Sequence, residues 1–469
     1  MFHTLTRHDW DLAPTGGNGL WGLPGGRGGT PVVERLLVWP SGASRRARGH
    51  VWSRAVPTPT PTPAHAAPAP DVPTPGAPAA SGPTMAHARR LIRAQYALIY
   101  VLVGGFGNFF GIWLREIGWD ETQIGWQGGA FAACLVLFPL LWGRRVDRTG
   151  DAARSLRTIT LGAALAFTPF LLTHHFTALL AATLLFGAFR TGVVTAADTY
   201  TLHLVAKHGA HKVGDYGSHR VWGSAGFIVG ALGLGWIIGA TSRHAVPVFM
   251  ASVLTVHALS ARLVPADPTP PGAPERLAVT LRRLLALPHL RRFYGVTFLS
   301  RLASQGIYVF LPLHLQDLGV PDERIAWYWT VGVLSEITLI RLSPRLFRHL
   351  RPVQVIALTI FLTGVEYALI AVIPNPWALL PVMLLHGMSF GVWYVYSVVW
   401  LGGAVPEADR GRAQGVFQSL GFGVGGTLSA VLSGYLYYGS GGPALFAAAA
   451  ALSLATAALA LRTLRTLRD

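Results

Sequence analysis

Gly143-Arg144-Arg145-Val146-Asp147-Arg148-Thr149-Gly150-Asp151-Ala152-Ala153-Arg154 is a short, basic, turn-rich stretch set between two apolar runs of membrane-spanning length. It has the form G-x-x-x-D-R-x-G, with an acid among several arginines. A segment this charged between two lipid-embedded helices belongs in water, and its arginines place it on the cytoplasmic side.

Composition agrees. Hydrophobic residues make up 51% of the 469, charged ones 13%, and mean hydropathy is +0.43. A soluble domain carries about 25% charged residues. Apolar stretches of about 20 residues recur without strand-like alternation, which indicates membrane-spanning helices rather than barrel strands. The net charge of +17 comes from arginine clusters at the ends of apolar runs, so it reads as a positive-inside bias and no nucleic-acid partner is expected. The single cysteine, Cys134, excludes an intramolecular disulfide.

Residues 1–84 differ from the rest: rich in Pro, Gly, Ala and Thr, with Pro-Thr-Pro-Thr-Pro-Thr-Pro at 57–63 and no helical period. They are expected to be a disordered extension, with Met85 as the native start; the competing expectation is a genuine cytoplasmic tail. The first 20 residues lack an apolar core, so no cleavable signal is expected. Twelve spans follow, at 92–115, 122–142, 156–173, 176–203, 219–241, 245–264, 291–314, 323–346, 353–373, 377–401, 411–437 and 442–462. The Pro-rich, then basic, segment 265–290 reads as a cytoplasmic linker between six-helix bundles at 88–264 and 291–469. With the N-terminus inside, the cytoplasmic segments hold 25 Lys and Arg, against Arg115, Arg243 and Arg324 opposite. Both termini are therefore expected in the cytoplasm.

The two halves repeat each other. Leu114-Arg-Glu-Ile-Gly118-Trp-Asp-Glu121-Thr-Gln-Ile124 follows span 1, and Leu315-Gln-Asp-Leu-Gly319-Val-Pro-Asp322-Glu-Arg-Ile325 follows span 7. Ser224-Ala-Gly226-Phe227 in span 5 matches Ser419-Leu-Gly421-Phe422 in span 11. Matches six spans apart imply parallel repeats about an axis along the membrane normal.

Twelve spans, the six-plus-six repeat and the G-x-x-x-D-R-x-G loop resemble the major facilitator superfamily. Gly125 after the first loop, Tyr216-Gly-Ser-His-Arg-Val-Trp-Gly-Ser-Ala-Gly-Phe227, Leu385-His386-Gly-Met-Ser-Phe390-Gly and Arg410-Gly-Arg-Ala-Gln-Gly resemble its lactose-permease-like branch, which includes 3-phenylpropionate/proton symporters. The resemblance implies an all-α membrane protein and alternating-access transport. Two departures stand out. The counterpart loop Ser343-Pro-Arg-Leu-Phe347-Arg348 has lost the glycine and the acid, and span 9 carries Glu366 where that branch would have an arginine.

Ionisable groups at the bilayer centre cost roughly 2.5–3.5 kcal/mol on insertion scales and mark function by default. Those near mid-span are Arg190, Arg301, Glu336, Glu366 and His386, with Asn108 in span 1 and Asp198 lower in span 4. Arg301, Gln305 and Tyr308 share one helical stripe suited to a carboxylate. Asn108, Arg190, Arg301, Gln305, Tyr308, His386 and Trp393 are the expected substrate contacts; interhelical packing is the alternative for each. Glu336, His386, Glu366 and Asp198 are the expected proton carriers, since a desolvated carboxyl or an imidazole exchanges protons near neutral pH. For Glu336 the alternative is a permanent ion pair with Arg301 or Arg341. Gly143, Asp147, Arg148, Gly150, Arg154 and Arg412 are the expected gate, with Asp147 accepting from the exposed N–H groups that start span 11.

No H-E-x-x-H or Walker loop is present, so neither an enzyme nor an ATP-driven pump is expected, and no metal or cofactor is called for. The expected partners are a small organic substrate, protons and the lipid bilayer, with the monomer as the unit. The expected function is proton-coupled uptake of a small solute, a carboxylate above others. Multidrug efflux and sugar or nucleoside symport are the rivals within transport, a membrane enzyme or lipid flippase outside it.

Overall fold

The computed structural model describes residues 85–206, 212–266 and 277–464, nearly all of them helical. The expected extension at 1–84, residues 267–276 of the expected linker, and residues 207–211 and 465–469 lie outside the described residues. The first half comprises α1 (Met85–Glu116), α2 (Glu121–Thr149), α3 (Ala152–Phe167), α4 (Phe176–Arg190), α5 (Val193–Ala206), α6 (Lys212–Ala240) and α7 (Ala245–Arg262). Then come α8 (Leu277–Ala286), α9 (Pro288–Ser304), α10 (Ile307–Asp317), α11 (Asp322–Leu346), α12 (Pro352–Val372), α13 (Pro376–Val382), α14 (Trp393–Ala404), α15 (Arg410–Gln418) and α16 (Gly426–Leu464).

These helices make twelve crossings. Nine helical stretches among the described residues are long and apolar enough to cross a bilayer, and the last of them, Arg410–Thr463, crosses twice, turning at Gly441 where φ is 76°. The other two crossings are α3 with its 3-10 extension Thr168–Leu171, and α11, whose charged residues dilute its hydropathy. Large apolar side chains such as Trp236, Leu172 and Val372 lie exposed on the outside, a surface that requires lipid.

The stretch 143–154 is less of a loop than its composition suggests. α2 continues through Thr149, and only Gly150 and Asp151 separate it from α3. Gly150 closes α2 in the left-handed region (φ 61°), its N–H bonded to the Val146 carbonyl, a conformation that costs other residues a Cβ clash. Asp151 then caps α3 by accepting from the Arg154 N–H. Charged turns extending a helix past the membrane keep their backbone bonds and lose nothing in water, which is why polarity alone misplaced the boundary.

Several expected spans are interrupted. Span 4 breaks at Thr191-Gly192 and span 7 at Gln305-Gly306, where the Gly306 N–H finds the Ser429 hydroxyl of α16 at 2.7 Å. Span 10 passes through a 3-10 turn (Met383–Leu385) and a π turn (Gly387–Val392), and span 11 through a π turn (Ser419–Gly425). The expected linker contains a helix, α8, which packs on α9 and α15.

The halves meet along α2 against α16, α6 against α11 and α1 against α10. One hydrophobic core joins both halves, bringing Phe109, Phe110 and Trp113 together with Phe310, Trp329 and Tyr437. Toward the arginine-rich face the core divides. Ile92, Val146 and Leu156 belong to a cluster confined to the first half, and Phe293, Trp400 and Phe417 to one confined to the second. The halves thus share one core on the opposite face and have separate cores toward the arginine-rich one, where α2 still approaches α15 through Leu140 and Gly415.

Candidate functional site

Where the core divides, a cavity of about 280 Å³ lies between the halves. The first half supplies Tyr100, Val103, Gly107 and Asn108 from α1 and Arg220, Gly223, Ser224 and Phe227 from α6. The second supplies Tyr308 from α10, Trp329, Val333 and Glu336 from α11, and His386 and Phe390 from the irregular middle of span 10.

The second-half wall is aromatic. Tyr308 stacks on Trp329 (centroids 5.0 Å apart, 19° between planes), and His386 stands edge-on to Trp329 at 5.2 Å. The π turn sets the placement of Phe390, whose ring lies 6.0 Å from His386 and within 3° of parallel. Gly387 and Gly391 let this turn close on the α11 backbone at Ser335 and on the Glu336 side chain; a methyl at either position would meet them at van der Waals overlap. Behind His386, its Nδ1 lies 3.5 Å from Oε1 of Glu366, which is 1% exposed and whose Oε2 has no hydrogen-bond partner. Glu336 pairs with neither Arg301 nor Arg341: among the described residues no ion pair reaches it. Its carboxyl shares the cavity with His386.

The first-half wall carries the cation. Arg220 donates to the Tyr100 hydroxyl at 2.7 Å, lies over the rings of Tyr96 and Tyr100, and approaches Asp198 at 3.4 Å. Asp198 also accepts from the Tyr96 hydroxyl at 2.6 Å, so the acid sits one residue behind the cavity as the tether of Arg220. Asn108 lines the cavity with its amide N–H₂ bound to the Gly104 carbonyl, which leaves a buried Oδ1 without a partner.

Of the expected substrate contacts, Asn108, Tyr308 and His386 therefore converge here, and Arg190, Arg301, Gln305 and Trp393 do not line the cavity. Arg190 donates to the Ile99 carbonyl inside the first half. Arg301, 1% exposed, has no hydrogen bond to any of its three nitrogens; it lies 4.0 Å from the Trp393 ring centroid, with Phe390 and Phe422 flanking it. The buried Gln305 Oε1 is likewise without a partner. Of the expected proton carriers, Glu336 and His386 face the cavity, and Glu366 and Asp198 stand directly behind it.

Arg220, Tyr100 and Trp329 escaped the reading of the sequence. Arg220 was counted among the positive-inside arginines because span 5 was begun at residue 219, whereas α6 begins at Lys212 and carries Arg220 two turns into the helix. The signal was available in Tyr96 and Tyr100, one turn apart on span 1, which present two phenols to a cation.

The expected gate residues lie at the arginine-rich face. Asp147, Arg148 and Arg154 are exposed, and Asp147 has no ion pair or hydrogen bond among the described residues. Arg412 pairs instead with Asp409, as does Arg283 of α8. α2 and span 11 touch deeper in the membrane, where the Ser419 hydroxyl donates to the Val136 carbonyl at 3.0 Å.

Every ion pair between the halves, among the described residues, lies on the opposite face. Arg115 binds Glu121 of its own half and Asp317 of the other, at 3.0 and 2.8 Å. Arg243 binds Glu116 at 2.6 Å and, across the seam, Asp322 at 2.5 Å. The hydrogen-bonded Asp322 carboxylate is the main cause that raises the Arg243 pKa above its usual value, against a smaller desolvation effect.

The MFS_1-like family model matches residues 90–448. The chain belongs to the major facilitator superfamily. Relatives include a maltose permease of Geobacillus stearothermophilus, 25% identical over 73% of this chain and 86% of its own. A probable 3-phenylpropionic acid transporter of Escherichia coli (strain K12) is 24% identical over 74% of this chain and 91% of its own. Among solved structures, the nucleoside transporter NupG superposes with a TM-score of 0.72 at 18% identity, over 81% of this chain and all of that one. The protein is a secondary transporter of this superfamily, integral to the membrane, with the superfamily's twelve-helix fold in two six-helix repeats, and the relatives named above are transporters rather than enzymes.

Proposed function

We propose that this transporter takes up a small aromatic monocarboxylate together with protons. The observation that carries the reading is the cavity between the halves: aromatic walls, one cation at Arg220, and one acid at Glu336 held in no ion pair. Tyr308, Trp329 and Phe390 offer an aromatic ring flat apolar faces. A sugar's many hydroxyls would also leave most of their hydrogen bonds unmade against these walls, at about 1–3 kcal/mol each. The ring would lie against Tyr308 and Trp329, and the carboxylate would take the Arg220 guanidinium in competition with Asp198.

Protonation of Glu336, with His386 and Glu366 as the pair behind it, neutralises the buried charge so that the substrate anion enters without like-charge repulsion. Arg301 and Gln305, sealed and unsatisfied in this state, become contacts when spans 7, 10 and 11 rearrange around their breaks. The arginine excess supports a cytoplasmic arginine-rich face with both termini inside, and the divided core there supports an inward-facing state. Asp147, with Arg148 and Arg154, then engages the start of α15 near Arg412 only when that face closes. The proposed working unit is the monomer. The halves 88–264 and 291–469 rock about the segment 265–290.

A thermal-shift screen of the purified full chain against aromatic carboxylates, maltose, nucleosides and lipophilic cations tests the substrate class. A ligand at 100 times its Kd stabilises by about 2.7 kcal/mol. Stabilisation by 3-phenylpropionate and its analogues is the expected result. Stabilisation by maltose, nucleosides or cationic drugs without response to any carboxylate would overturn the reading in favour of that class.

A further inference from the structure

On the face opposite the arginine-rich loops, the internal repeat is visible in the ion pairs themselves. In the first half Arg115 reaches Glu121, six residues on; in the second, Gln316 at the matching position reaches Asp322, also six residues on, at 2.7 Å. The repeat has therefore lost its second cation, and Asp322 would be left with a neutral amide. Arg243, from the α6–α7 turn outside the repeated motif, restores the charge and joins Asp322 to Glu116. Arg115 meanwhile crosses to Asp317, whose second oxygen accepts from the Tyr437 hydroxyl. Both crossing bonds run the same way, from an arginine of the first half to an aspartate of the second.

We infer that Arg115 and Arg243 form an ionic clasp that holds this face shut, with Arg243 replacing the cation that the repeat lost at Gln316. Neither arginine touches the cavity, so the clasp sets the balance between states rather than substrate recognition. It rests on the alternating-access reading of the fold and is independent of which substrate the cavity takes. Both arginines retain some exposure, 25% and 39% of their side chains, so the clasp is screened by salt.

The test measures the distance across the clasp in the full chain. Ala178 and Ala378, exposed in the first turns of α4 and α13, are each replaced by cysteine in a Cys134→Ser background and spin-labelled in lipid nanodiscs. Pulsed double electron–electron resonance of the parent is expected to show mainly a short, closed distance. Arg115→Gln and Arg243→Gln are expected to raise the ratio of long to short distances by about two- to fivefold each, the effect of one partly exposed ion pair. The exchange Arg115→Asp with Asp317→Arg is expected to restore the closed distance that Arg115→Asp alone loses. Raising salt to about 1 M, where the screening length falls to about 3 Å, should open the parent without any mutation at the clasp. A distance distribution unmoved by salt and by both neutralisations would overturn the inference, as would an exchanged pair no more closed than the single variant. Substrate-induced thermal shifts measured on the same samples separate this outcome from failure of the proposed substrate class, because the clasp variants leave the cavity intact.

Discussion

Gly434→Ala should open the face that this structure shows closed. Gly125 of α2 and Gly434 of α16 meet backbone to backbone: a Cβ on Gly434 would stand 2.6 Å from the Glu121 carbonyl oxygen and 3.0 Å from the Gly125 Cα. Neither atom is the end of a flexible side chain, so relief requires the two helices to part. The contact joins opposite halves, so the clash exists only while this face is closed. An inserted methyl in a packed core costs about 1–3 kcal/mol, which corresponds to roughly a 5- to 150-fold shift toward the alternate state. Gly226 supplies the control. Its Cβ would collide with the Ala97 backbone of α1 inside the first half, a contact that rocking does not break. Gly226→Ala should therefore lower the melting temperature with little change in state, and Gly434→Ala should change state with less change in melting temperature. The labelled pair Ala178→Cys and Ala378→Cys reads the state, and a thermal melt reads the stability. Equal distance distributions for parent and Gly434→Ala, in a protein that still melts cooperatively, would refute the idea that this glycine contact belongs to one state alone.

Three further outcomes follow from the cavity and the arginine-rich face. Arg220→Gln removes a charged hydrogen bond to the proposed carboxylate, worth about 1.5–3 kcal/mol, so the KM for uptake into proteoliposomes should rise roughly 10- to 150-fold; an unchanged KM would place the carboxylate elsewhere. Glu336→Gln mimics the protonated acid and should abolish accumulation driven by a proton gradient while sparing exchange of labelled for unlabelled substrate, and accumulation that persists would remove Glu336 from coupling. Asp147→Asn should cut the uptake rate at unchanged membrane abundance, because the exposed acid has no partner to lose in this state; full activity would leave the arginines there as topology signals only.

The fold was legible because the bilayer imposes strong constraints on sequence. Apolar length, arginine asymmetry and a repeated loop motif each follow from a physical requirement that no neighbouring side chain can override. The site was legible in part. Glu336, His386, Asn108 and Tyr308 stood out as polar groups at mid-span, and they share the cavity. Arg301 and Arg190 stood out by the same rule and lie outside it, because burial cost marks a polar group as needing a partner without saying whether that partner is a carbonyl, a ring or a ligand. Arg220 was hidden by the converse error. Near a helix end a functional arginine and a topological one look alike, and only the packing of Tyr96, Tyr100 and Asp198 around it tells them apart. The breaks at Gln305-Gly306 and the π turns left no periodic signal, since one residue more or less in a turn falls within the noise of an apolar run.

The repeat has also drifted differently on its two faces. On the arginine-rich face the first half keeps Gly143, Asp147 and Gly150, while the second has Ser343-Pro-Arg-Leu-Phe347-Arg348 with no acid. On the opposite face the first half keeps Arg115, while the second has Gln316 and borrows Arg243. With both repeats intact, each face would carry two equivalent latches, and breaking either would leave the other in place. On the gate and clasp proposed above, the surviving groups of the first half, Asp147 on one side and Arg115 with Arg243 on the other, would meet partners of the second half in opposite states. A change at either end then acts on a single equilibrium, and the two ends must compensate: Asp147→Asn, which removes a bond of one state, should be offset by Arg243→Gln, which removes a bond of the other. Uptake by the double variant closer to the parent than to Asp147→Asn alone is the expected result. Additive loss would show that the two faces do not share one rocking motion.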